Sequence, residues 1–435
     1  MTVIPPPPSL VYRYRNAGAS YILLGLGGVF LAVNFLALNM QRGAEGLANW
    51  EHFTIWVVCA VVSAIILRYR LPKHDTLLFA LTMFLSGWGI LAIDRLSPLF
   101  ADRQTAWLSL ATAAMVAVGI FPHTLRWLRT YRYLLLVGGL ALLVSTIVLG
   151  RNPSGQIGAP QLWLGIGTIF FQPSEALKII LVAFLASYLA EQYPAMRAEG
   201  LNTGHHRLQL SPRIAGPILL MWGLSVVILV WQRDLGTAML FFFVFLALLY
   251  VASGNWRILL SGLLLIIFAG VIAYYQFDVV RLRVDIWLNP WPEADGRAYQ
   301  VVQSLMAFAA GGIGGQGIDQ GYPTYIPVVH SDFVFAAAAE EWGLVGVLVV
   351  TACLVTLFVR GMRAAMNQQG RPFRVLLATG LSLLIAAQSL LIMAGGLKLI
   401  PLTGVTLPFM SYGGSSLLTS FVIAGLLLRL SAVDD

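Results

Sequence analysis

Charged side chains are scarce in this sequence of 435 residues. Asp, Glu, Lys and Arg together make up 11% of it, whereas an ordinary soluble domain carries about 25%. Hydrophobic residues make up 58%, and the mean hydropathy is +0.80. This balance excludes a soluble globular protein. Apolar stretches of about 20 residues, the length of a helix that crosses a bilayer, indicate a polytopic membrane protein instead.

Cysteine is nearly absent as well. Cys59 and Cys353 are the two in the chain, and both fall within apolar stretches that are far apart in the sequence. A disulfide is therefore not expected, and both thiols are predicted to be packing residues. The sequence also contains no motif with the ligand spacing of a zinc site, so it predicts no metal site.

The apolar stretches predict an all-α, polytopic integral membrane bundle of about twelve transmembrane helices. The stretches cover residues 19–38, 53–67, 76–93, 105–121, 133–149, 174–190, 214–231, 236–252, 258–275, a segment starting near 333, 375–393 and 415–430.

The distribution of positive charge predicts the orientation of this bundle. The chain has 27 Lys and Arg against 19 Asp and Glu, a net charge of +8. With the N-terminus in the cytoplasm, most Lys and Arg fall on the cytoplasmic side, in agreement with the positive-inside rule. Residues 1–18 are then a cytoplasmic tail rather than a signal peptide, and residues 276–332 lie outside. A basic cytoplasmic face suits anionic membrane lipids, and nucleic acid is not expected as a partner.

Residues 276–332 form the one long non-membrane segment. Loops of this length are usually functional or disordered, and disordered tracts are poor in apolar residues. This segment instead contains aromatic residues that are expected to anchor it, namely Trp287, Trp291, Tyr299, Phe308, Tyr322 and Tyr325. We therefore expect an ordered and functional extracellular loop.

Polar side chains within the apolar domain are costly and are often functional. They form four clusters: Gln172 to Glu175 with Lys178; Gln232 to Thr237; Asp332 with Glu340 and Glu341; and Lys398 with residues 401–404 and 408–416. Each cluster alone is equally well explained by ion pairs between helices or by snorkelling side chains. Together, at one side of the membrane, they predict a cavity for a lipid with a charged head group, lined partly by re-entrant backbone in the fourth cluster.

These motifs resemble the SEDS proteins (shape, elongation, division and sporulation), a family that includes FtsW, RodA and SpoVE. The similar segments are GAPQLWLGIG at 158–167, QPSExxK at 172–178, QRDLGTA from 232, NPW and YQxxQS within 289–304, GGIGGQG at 311–317, DFVFAxxxEExGLxG at 332–346 and PLTGVTLPFMSYGGSS at 401–416. Their order and spacing agree with the family over roughly residues 130–430.

The resemblance implies an architecture and an activity. Family members usually have ten membrane helices, so residues 73–435 are expected to form such a domain, and residues 19–72 an additional N-terminal helix pair for packing or partner docking. The implied activity is that of an inverting peptidoglycan glycosyltransferase of the bacterial cytoplasmic membrane. It would polymerise lipid II into glycan strands at the outer face during division or elongation, with a class B penicillin-binding protein as its transpeptidase partner.

The resemblance also implies a catalytic carboxylate, which in the family is an Asp two residues after the Trp of the NPW motif. Counted from Trp291, this position is Glu293, so the chain has Glu where the family has Asp. Asp295, two residues further on, is the alternative. The carboxylate would remove the proton of the acceptor sugar's hydroxyl group, and the extra methylene of Glu changes the geometry of that step.

The leaving lipid diphosphate requires cations to stabilise its negative charge. The candidates are Lys178, Arg233 and Lys398, and nearer the long loop Arg281, Arg283 and Arg297. The complete set of predicted substrate-binding residues is Gln172, Ser174, Glu175, Lys178, Arg233, Asp234, Gln300, Ser304, Asp332, Glu340, Lys398 and Ser411. A divalent cation that bridges diphosphate and carboxylate is compatible with this chemistry, but no residue pattern indicates it.

Two other functions remain open at this point. One is a transporter that flips a lipid-linked precursor across the membrane, because charged residues within the membrane domain would also suit that activity. The other is a catalytically silent scaffold of the cell-wall synthesis complex, which the change from Asp to Glu and the added helices would allow. An assay with lipid II distinguishes the three functions. Polymer would indicate the glycosyltransferase, exchange between leaflets without polymer would indicate the transporter, and neither activity would indicate the scaffold.

Overall fold

Helices make up most of the described chain. The computed structural model describes residues 10–43, 50–152, 161–167, 169–202 and 212–432. The α-helices in these ranges are α1 (Leu10–Gln41), α2 (Glu51–Arg70), α3 (Thr76–Leu96), α4 (Pro98–Ile120), α5 (Thr124–Thr130), α6 (Arg132–Leu149), α7 (Pro173–Asn202), α8 (Pro212–Trp231), α9 (Leu235–Ser253), α10 (Trp256–Gln276), α11 (Asp278–Leu288), α12 (Tyr299–Gly311), α13 (Val329–Asp332), α14 (Val334–Met366), α15 (Pro372–Gly396) and α16 (Gly414–Ser431). A small antiparallel hairpin pairs β1 (Leu164–Ile166) with β2 (Ile169–Phe171). The predicted all-α class is confirmed.

Ten helices of the described ranges are long and apolar enough to cross a membrane: α1, α2, α3, α6, α7, α9, α10, α14, α15 and α16. Helices α4 and α5 pass the same test only together, with a bend of 85° between them. Helix α8 has a shorter apolar part, Leu219–Trp231. Ten of the twelve predicted stretches correspond to these ten helices, and the other two correspond to α4 and α8. The number of membrane spans therefore depends on whether α4 and α8 are counted.

Burial divides the bundle into central and peripheral helices. In α7, 89% of the apolar window is buried, and in α3 and α16 the share is 78%, whereas in α10 it is 6%. The side chains of Leu264 and Phe268 on α10 are accordingly exposed. Lipid tails are as apolar as leucine, so apolar surface of this kind is stable against lipid, and packing and polar contacts hold the central helices together.

The first two helices pack against the rest of the bundle through polar contacts. The indole nitrogen of Trp56 donates to the carbonyl group of Met83 at 2.8 Å, and Trp342 donates to the side-chain oxygen of Asn34 at 3.1 Å. At the end of α1, Arg42 forms an ion pair with Asp94 at 3.0 Å. An unpaired polar group in hydrocarbon costs several kcal/mol, so these contacts favour the docked position of α1 and α2.

Helices α4 and α16 approach each other at a glycine. A Cβ atom on Gly425 would lie 2.5 Å from the carbonyl oxygen of Met115 and 3.1 Å from its Cα atom. Small residues permit such close contact between the backbones of membrane helices. The position therefore requires glycine for steric reasons.

Replacing Gly425 with alanine is expected to destabilise the protein by about 1–3 kcal/mol, because backbone atoms must move apart to admit the methyl group. Gly138→Ala in α6 is the matched control, since no atom of the described residues lies within 4 Å of a Cβ atom there. Thermal unfolding of the purified protein in detergent measures both effects. Equal stability of the two variants would show that α4 and α16 separate without cost.

Residues 276–332 are ordered and largely helical, and they contain α11, α12, α13 and the 3₁₀ turns Trp291–Glu293 and Pro323–Tyr325. Of the six aromatic residues, Tyr299 is partly buried, and the other five divide into two groups. Trp287 donates to the carbonyl group of Lys398 at 3.2 Å, and the Phe308 ring packs edge-on against Phe335, with centroids 5.7 Å apart. Three predicted anchors are instead exposed to between 59% and 65%: Trp291, Tyr322 and Tyr325. For these three the expectation of an anchoring role is wrong.

The glycines of the GGIGGQG motif allow this segment to dock on α14. Gly315 lies against the backbone of Glu341 so closely that no Cβ atom fits between them, and the N–H of Leu344 donates to the carbonyl group of Gly312 at 2.9 Å. Helix α14 is broken at this point by Gly343, with φ 63° and ψ −161°, a conformation that glycine adopts without steric cost. The motif therefore fixes the segment to the break in α14.

Candidate active site

A polar cluster joins two of the motifs singled out in the sequence. Asp234 precedes α9 and caps it by accepting a hydrogen bond from the N–H of Thr237 at 3.2 Å. Its second carboxylate oxygen lies 3.3 Å from the Ser174 hydroxyl group and 3.4 Å from the Gln172 amide nitrogen. Helix capping by Asp is worth about 1 kcal/mol, and here the cap also connects the start of α7 to the start of α9.

Arg283 of α11 interacts with this cluster. Its Nη1 atom donates to the carbonyl group of Thr403 at 3.4 Å. A Cβ atom on Gly404 would lie 3.9 Å from Nη2 of Arg283 and 4.0 Å from Oδ2 of Asp332, so both side chains lie within van der Waals reach of this glycine. Burial lowers the pKa of Arg283, and the charges of Asp332 and Asp234 act in the opposite direction. The guanidinium group of Arg283 thus lies within electrostatic range of two carboxylates from different parts of the chain.

Asp332 is the last residue of α13 and lies beside the backbone of Gly404. Its Oδ1 atom accepts a hydrogen bond from the Ser331 hydroxyl group at 2.8 Å. Burial raises the pKa of Asp332, while the hydrogen bond from Ser331 and the charge of Arg283 lower it. Because desolvation disfavours the charged carboxylate, Asp332 takes up a proton more readily than an exposed aspartate does.

A second polar network runs from α7 into the C-terminal signature. The buried Nζ atom of Lys178 lies 2.7 Å from Oε1 of Glu175 and 3.1 Å from Oε1 of Gln388. Gln388 in turn donates to the carbonyl group of Thr406 at 2.8 Å, and the Thr406 hydroxyl group lies 2.6 Å from that of Ser416. The predicted contact of Lys178 with diphosphate stays a prediction, and its observed contacts connect α7 and α15 to the signature.

Three other predicted residues make bonds to backbone groups. The Ser411 hydroxyl group donates to the carbonyl group of Ser331 at 2.5 Å and accepts from the N–H of Leu407 at 2.9 Å. Ser304 donates to the carbonyl group of Gly396 at 2.9 Å. Glu340 accepts from the N–H of Tyr322 at 2.7 Å. These contacts hold the segments that surround the polar cluster.

The remaining predicted binding residues lie outside both networks. Arg233 is exposed and has a left-handed backbone with φ 63°. Lys398 has φ 57° and is partly buried, as is Gln300. In the described ranges, the side chains of these three residues have no hydrogen bond or ion pair, so a ligand could engage them. Their role in binding stays a prediction.

The two predicted catalytic carboxylates differ in their surroundings. Glu293 forms two hydrogen bonds with Arg297, at 2.7 Å from Nη2 and 3.3 Å from Nε, and its own carbonyl group accepts from the N–H of Ala298 at 3.1 Å. The hydrogen bond and charge of Arg297 lower the pKa of Glu293. Asp295 is exposed, and its side chain has no polar partner among the described residues. Of the two, Glu293 is therefore the carboxylate with a side-chain partner in the described part of the chain.

Two parts of this arrangement were not predicted from the sequence. Gln388, in the middle of α15, links Lys178 to the signature, and a polar residue in the middle of an apolar span is the signal that could have identified it. The second part is the ion pair of Glu341, which the sequence placed in a cluster with Asp332 and Glu340 but for which it indicated no cation. Glu341 pairs with Arg95 at 2.9 Å, and Arg95 also pairs with Asp319 at 2.7 Å. That contact spans distant parts of the sequence, which no local pattern reveals.

A comparison with models of protein families shows which family this chain belongs to. The family model of FtsW, RodA and SpoVE, described as cell cycle proteins, matches residues 69–435. The chain belongs to this family. The resemblance drawn from the motifs is thereby confirmed, and the matched region begins at the end of α2, so α1 and nearly all of α2 lie outside it.

Relatives within the FtsW/RodA/SpoVE family have assigned activities. The peptidoglycan glycosyltransferase RodA of Mycobacterium tuberculosis (strain ATCC 25618 / H37Rv) is 36% identical over 444 residues, which cover 99% of this chain and 92% of the relative. The probable peptidoglycan glycosyltransferase FtsW of Geobacter sulfurreducens (strain ATCC 51573 / DSM 12127 / PCA) is 30% identical and covers 83% of this chain and 96% of the relative. The mycobacterial alignment also includes the added N-terminal helices.

Solved structures of the family have the same fold. The crystal structure of the Thermus thermophilus rod shape determining protein RodA matches with a TM-score of 0.60 and 25% identity, over 83% of this chain and 98% of that one. A chain from a structure on the structural coordination of polymerization and crosslinking by a peptidoglycan synthase complex matches with a TM-score of 0.66 and 28% identity, over 82% and 97%. The chain is a multi-pass membrane protein with the fold of this family.

Proposed function

We propose that this protein is a peptidoglycan glycosyltransferase that polymerises lipid II into glycan strands at the outer face of the bacterial cytoplasmic membrane. The observation that carries the proposal is the position of Arg283, which lies beside Gly404 and Asp332 and is also influenced by the charge of Asp234. A fixed guanidinium group at the junction of membrane bundle and surface segment suits a lipid diphosphate. The activities assigned to the RodA and FtsW relatives support the proposal.

In this reaction the anomeric carbon of the donor loses its bond to the lipid diphosphate, and the acceptor's hydroxyl oxygen forms a new bond there. Negative charge develops on the leaving diphosphate, and a fixed cation stabilises that charge more in the transition state than in the ground state. Arg283 takes this role because a guanidinium group binds phosphate oxygens through two parallel hydrogen bonds. Attack from the opposite face inverts the anomeric carbon without a covalent intermediate.

The acceptor's hydroxyl group must lose its proton during the attack, and we assign this step to Glu293. Its pKa is lowered as long as Arg297 is paired with it, which makes it a weak base. A diphosphate that attracts Arg297 would remove this cause and make Glu293 more basic, closer to the optimum for a general base. Arg283 and Arg297 supply the positive charge in this scheme, and no step in it requires a divalent cation.

Orientation and partner belong to the same proposal. The excess of Lys and Arg on one side supports a cytoplasmic N-terminus, which places α11, α12 and α13 outside the cell. The matching chain from a complex that coordinates polymerization and crosslinking supports a transpeptidase of the class B penicillin-binding type as the partner. Lipid II and membrane lipids are the other proposed ligands.

The proposal is tested with purified protein and its transpeptidase partner in liposomes that contain fluorescent lipid II. Glycan strands of many units on a gel are the expected result. Movement of lipid II between leaflets without polymer would identify a transporter instead. Neither activity, with a partner that still binds, would identify a scaffold, and both of these outcomes overturn the proposal.

Arg283→Lys is expected to lower the maximal rate of polymerisation at saturating lipid II about tenfold, because the lost contact is made to the leaving diphosphate in the transition state. Lysine keeps the charge but cannot form two parallel hydrogen bonds to phosphate, and one lost charge-assisted bond is worth roughly 1.5–3 kcal/mol. Initial polymerisation rates over a range of lipid II concentrations measure the change. Arg281→Lys, two residues away and 45% exposed, is the matched control. Equal effects of both substitutions would contradict a specific role for Arg283.

A further inference from the structure

A histidine and two carboxylates meet where α2 contacts α4. Glu51 and His52 begin α2, and Asp102 lies in the second turn of α4. One ligand atom from each side chain can be chosen so that all three lie within 4.8 Å of one another. His52 is buried, with 7% of its surface exposed, while both carboxylates are exposed. The residues come from two separate parts of the sequence, Glu51 with His52 and then Asp102, and so no motif predicted the cluster.

The distances within this cluster match metal ligation better than direct hydrogen bonding. The Nε2 atom of His52 lies 3.7 Å from Oδ1 of Asp102, which is beyond hydrogen-bonding distance. Two ligands at about 2.0–2.2 Å from a tetrahedral Zn²⁺ ion lie roughly 3.4 Å apart, so a small movement of the exposed Asp102 side chain admits an ion. Glu51 is exposed as well and can rotate to become the third ligand.

The imidazole ring is also held in the manner of a metal ligand. Its Nδ1 atom lies 3.1 Å from the Thr105 hydroxyl group, and Thr105 stands three residues after Asp102 on the same face of α4. Metal-bound histidines usually have their second nitrogen fixed by such a hydrogen bond. In the tautomer that donates from Nδ1 to Thr105, the lone pair of Nε2 is available for a metal ion on the side of Asp102.

We propose that Glu51, His52 and Asp102 form a binding site for a divalent transition-metal ion, with Zn²⁺ as the ion that fits best. An imidazole ligand favours Zn²⁺ over Mg²⁺ and Ca²⁺, which select oxygen. The three residues leave a fourth ligand position for water. The site joins α2, nearly all of which precedes the region matched by the family model, to α4, which lies within it.

The position of the site connects it to the candidate active site. Gln104 lies between Asp102 and Thr105 in the sequence. Its amide nitrogen donates to the carbonyl group of Ser411 at 3.2 Å, and its amide oxygen accepts from the N–H of Gly413 at 3.2 Å. Nearby, the ring of Phe100 stacks on Tyr412 with centroids 4.7 Å apart. An ion bound to α4 therefore restrains the same turns that hold the C-terminal signature. The inference concerns metal binding and does not depend on the glycosyltransferase activity.

The test uses the full-length protein in detergent, stripped of metal with a chelator and titrated with ZnCl2 against a chromophoric competitor. We expect one Zn²⁺ per chain, and an affinity that falls at least tenfold in His52→Gln and in Asp102→Asn. Asp278→Asn is the matched control, because that carboxylate is 98% exposed at the start of α11. X-ray absorption is expected to show one imidazole nitrogen at about 2.0–2.1 Å together with carboxylate oxygens.

Three results would overturn the proposal: no Zn²⁺ bound above the level of the competitor blank, equal affinity in the control and the two variants, or a ligand shell without imidazole. Glu51→Gln, at an exposed position, keeps the test decisive if His52→Gln fails to fold, since it should also weaken binding. MgCl2 in place of ZnCl2 is expected to leave the competitor signal unchanged. Binding of Mg²⁺ with equal affinity would refute the role of the imidazole.

Discussion

Glycan polymerisation by a Glu293→Gln variant is expected to be slower than that of the parent protein by a factor of about 10²–10⁴. This is the usual contribution of a positioned general base, and glutamine keeps the size of the side chain while removing its ability to accept a proton. Initial rates with fluorescent lipid II at saturating concentration measure the effect. The amide can still accept hydrogen bonds from Arg297, so the local fold should persist.

Asp295→Asn is the control for this experiment, because Asp295 is exposed two residues away and, unlike Glu293, has no side-chain partner in the described part of the chain. Its rate should stay within about threefold of the parent protein. The reverse result, with loss at Asp295 and retention at Glu293, would transfer the role to Asp295.

A pH profile adds a second measurement that separates Glu293 from Asp332. Arg297 lowers the pKa of Glu293 in the free enzyme, and kcat/KM reports groups of the free enzyme, so with a Glu293 base kcat/KM declines only below the ordinary range of glutamate. Burial raises the pKa of Asp332, so an Asp332 base would be protonated at a higher pH. An acid limb above the ordinary range of aspartate, still present in Glu293→Gln, would identify Asp332.

Lys178→Met is expected to destabilise the protein by about 3–5 kcal/mol, the usual cost of removing one partner of a buried ion pair. The substitution leaves the buried Glu175 carboxylate without its cation and Oε1 of Gln388 without its donor. Methionine has nearly the length of lysine, so the packing volume changes little. Chemical unfolding of the purified protein in detergent, followed by tryptophan fluorescence, measures the loss.

The double variant Glu175→Gln with Lys178→Met separates charge from packing. It has no uncompensated charge and should regain most of the lost stability, because a neutral replacement of a buried pair is often close to neutral in free energy. Lys398→Met is the matched single control and should change stability by less than about 0.5 kcal/mol, since no polar partner of its side chain lies in the described part of the chain. A double variant as unstable as Lys178→Met would refute the explanation by charge.

Much of the fold could be predicted from hydrophobic length alone. The apolar stretches correspond to helices because a span in lipid must satisfy its own backbone hydrogen bonds. Length could not determine whether α4 and α5 form one bent span or how α8 crosses, since both depend on tertiary packing. Residues 276–332 were predicted to be ordered, but their helices and the docking of Gly315 on Glu341 depend on contacts that the sequence does not encode locally.

The candidate site was predicted in part for a similar reason. Two of the motifs supply Gln172, Ser174 and Asp234. The structure brings these three side chains within hydrogen-bonding distance of one another. Arg283 was one of several candidate cations, and its place beside Asp234 and Asp332 results from the fold of α11 over the bundle. The motifs predict which types of residue form the site. Contacts between distant segments determine which of the candidate cations is buried there.

The break at Gly343 also determines where the electrostatic cost of α14 arises. An unbroken helix of 33 residues would be about 50 Å long, well beyond the roughly 30 Å of hydrocarbon. After the break, residues 344–366 alone suffice to traverse the lipid. In the preceding turns, Glu340 and Glu341 are buried against protein, with 6% and 2% of their surfaces exposed. Glu340 accepts a hydrogen bond from the N–H of Tyr322, and Glu341 pairs with Arg95 of α3. The protein itself therefore supplies the polar partners of these two acids, and the crossing segment after the break carries neither of them.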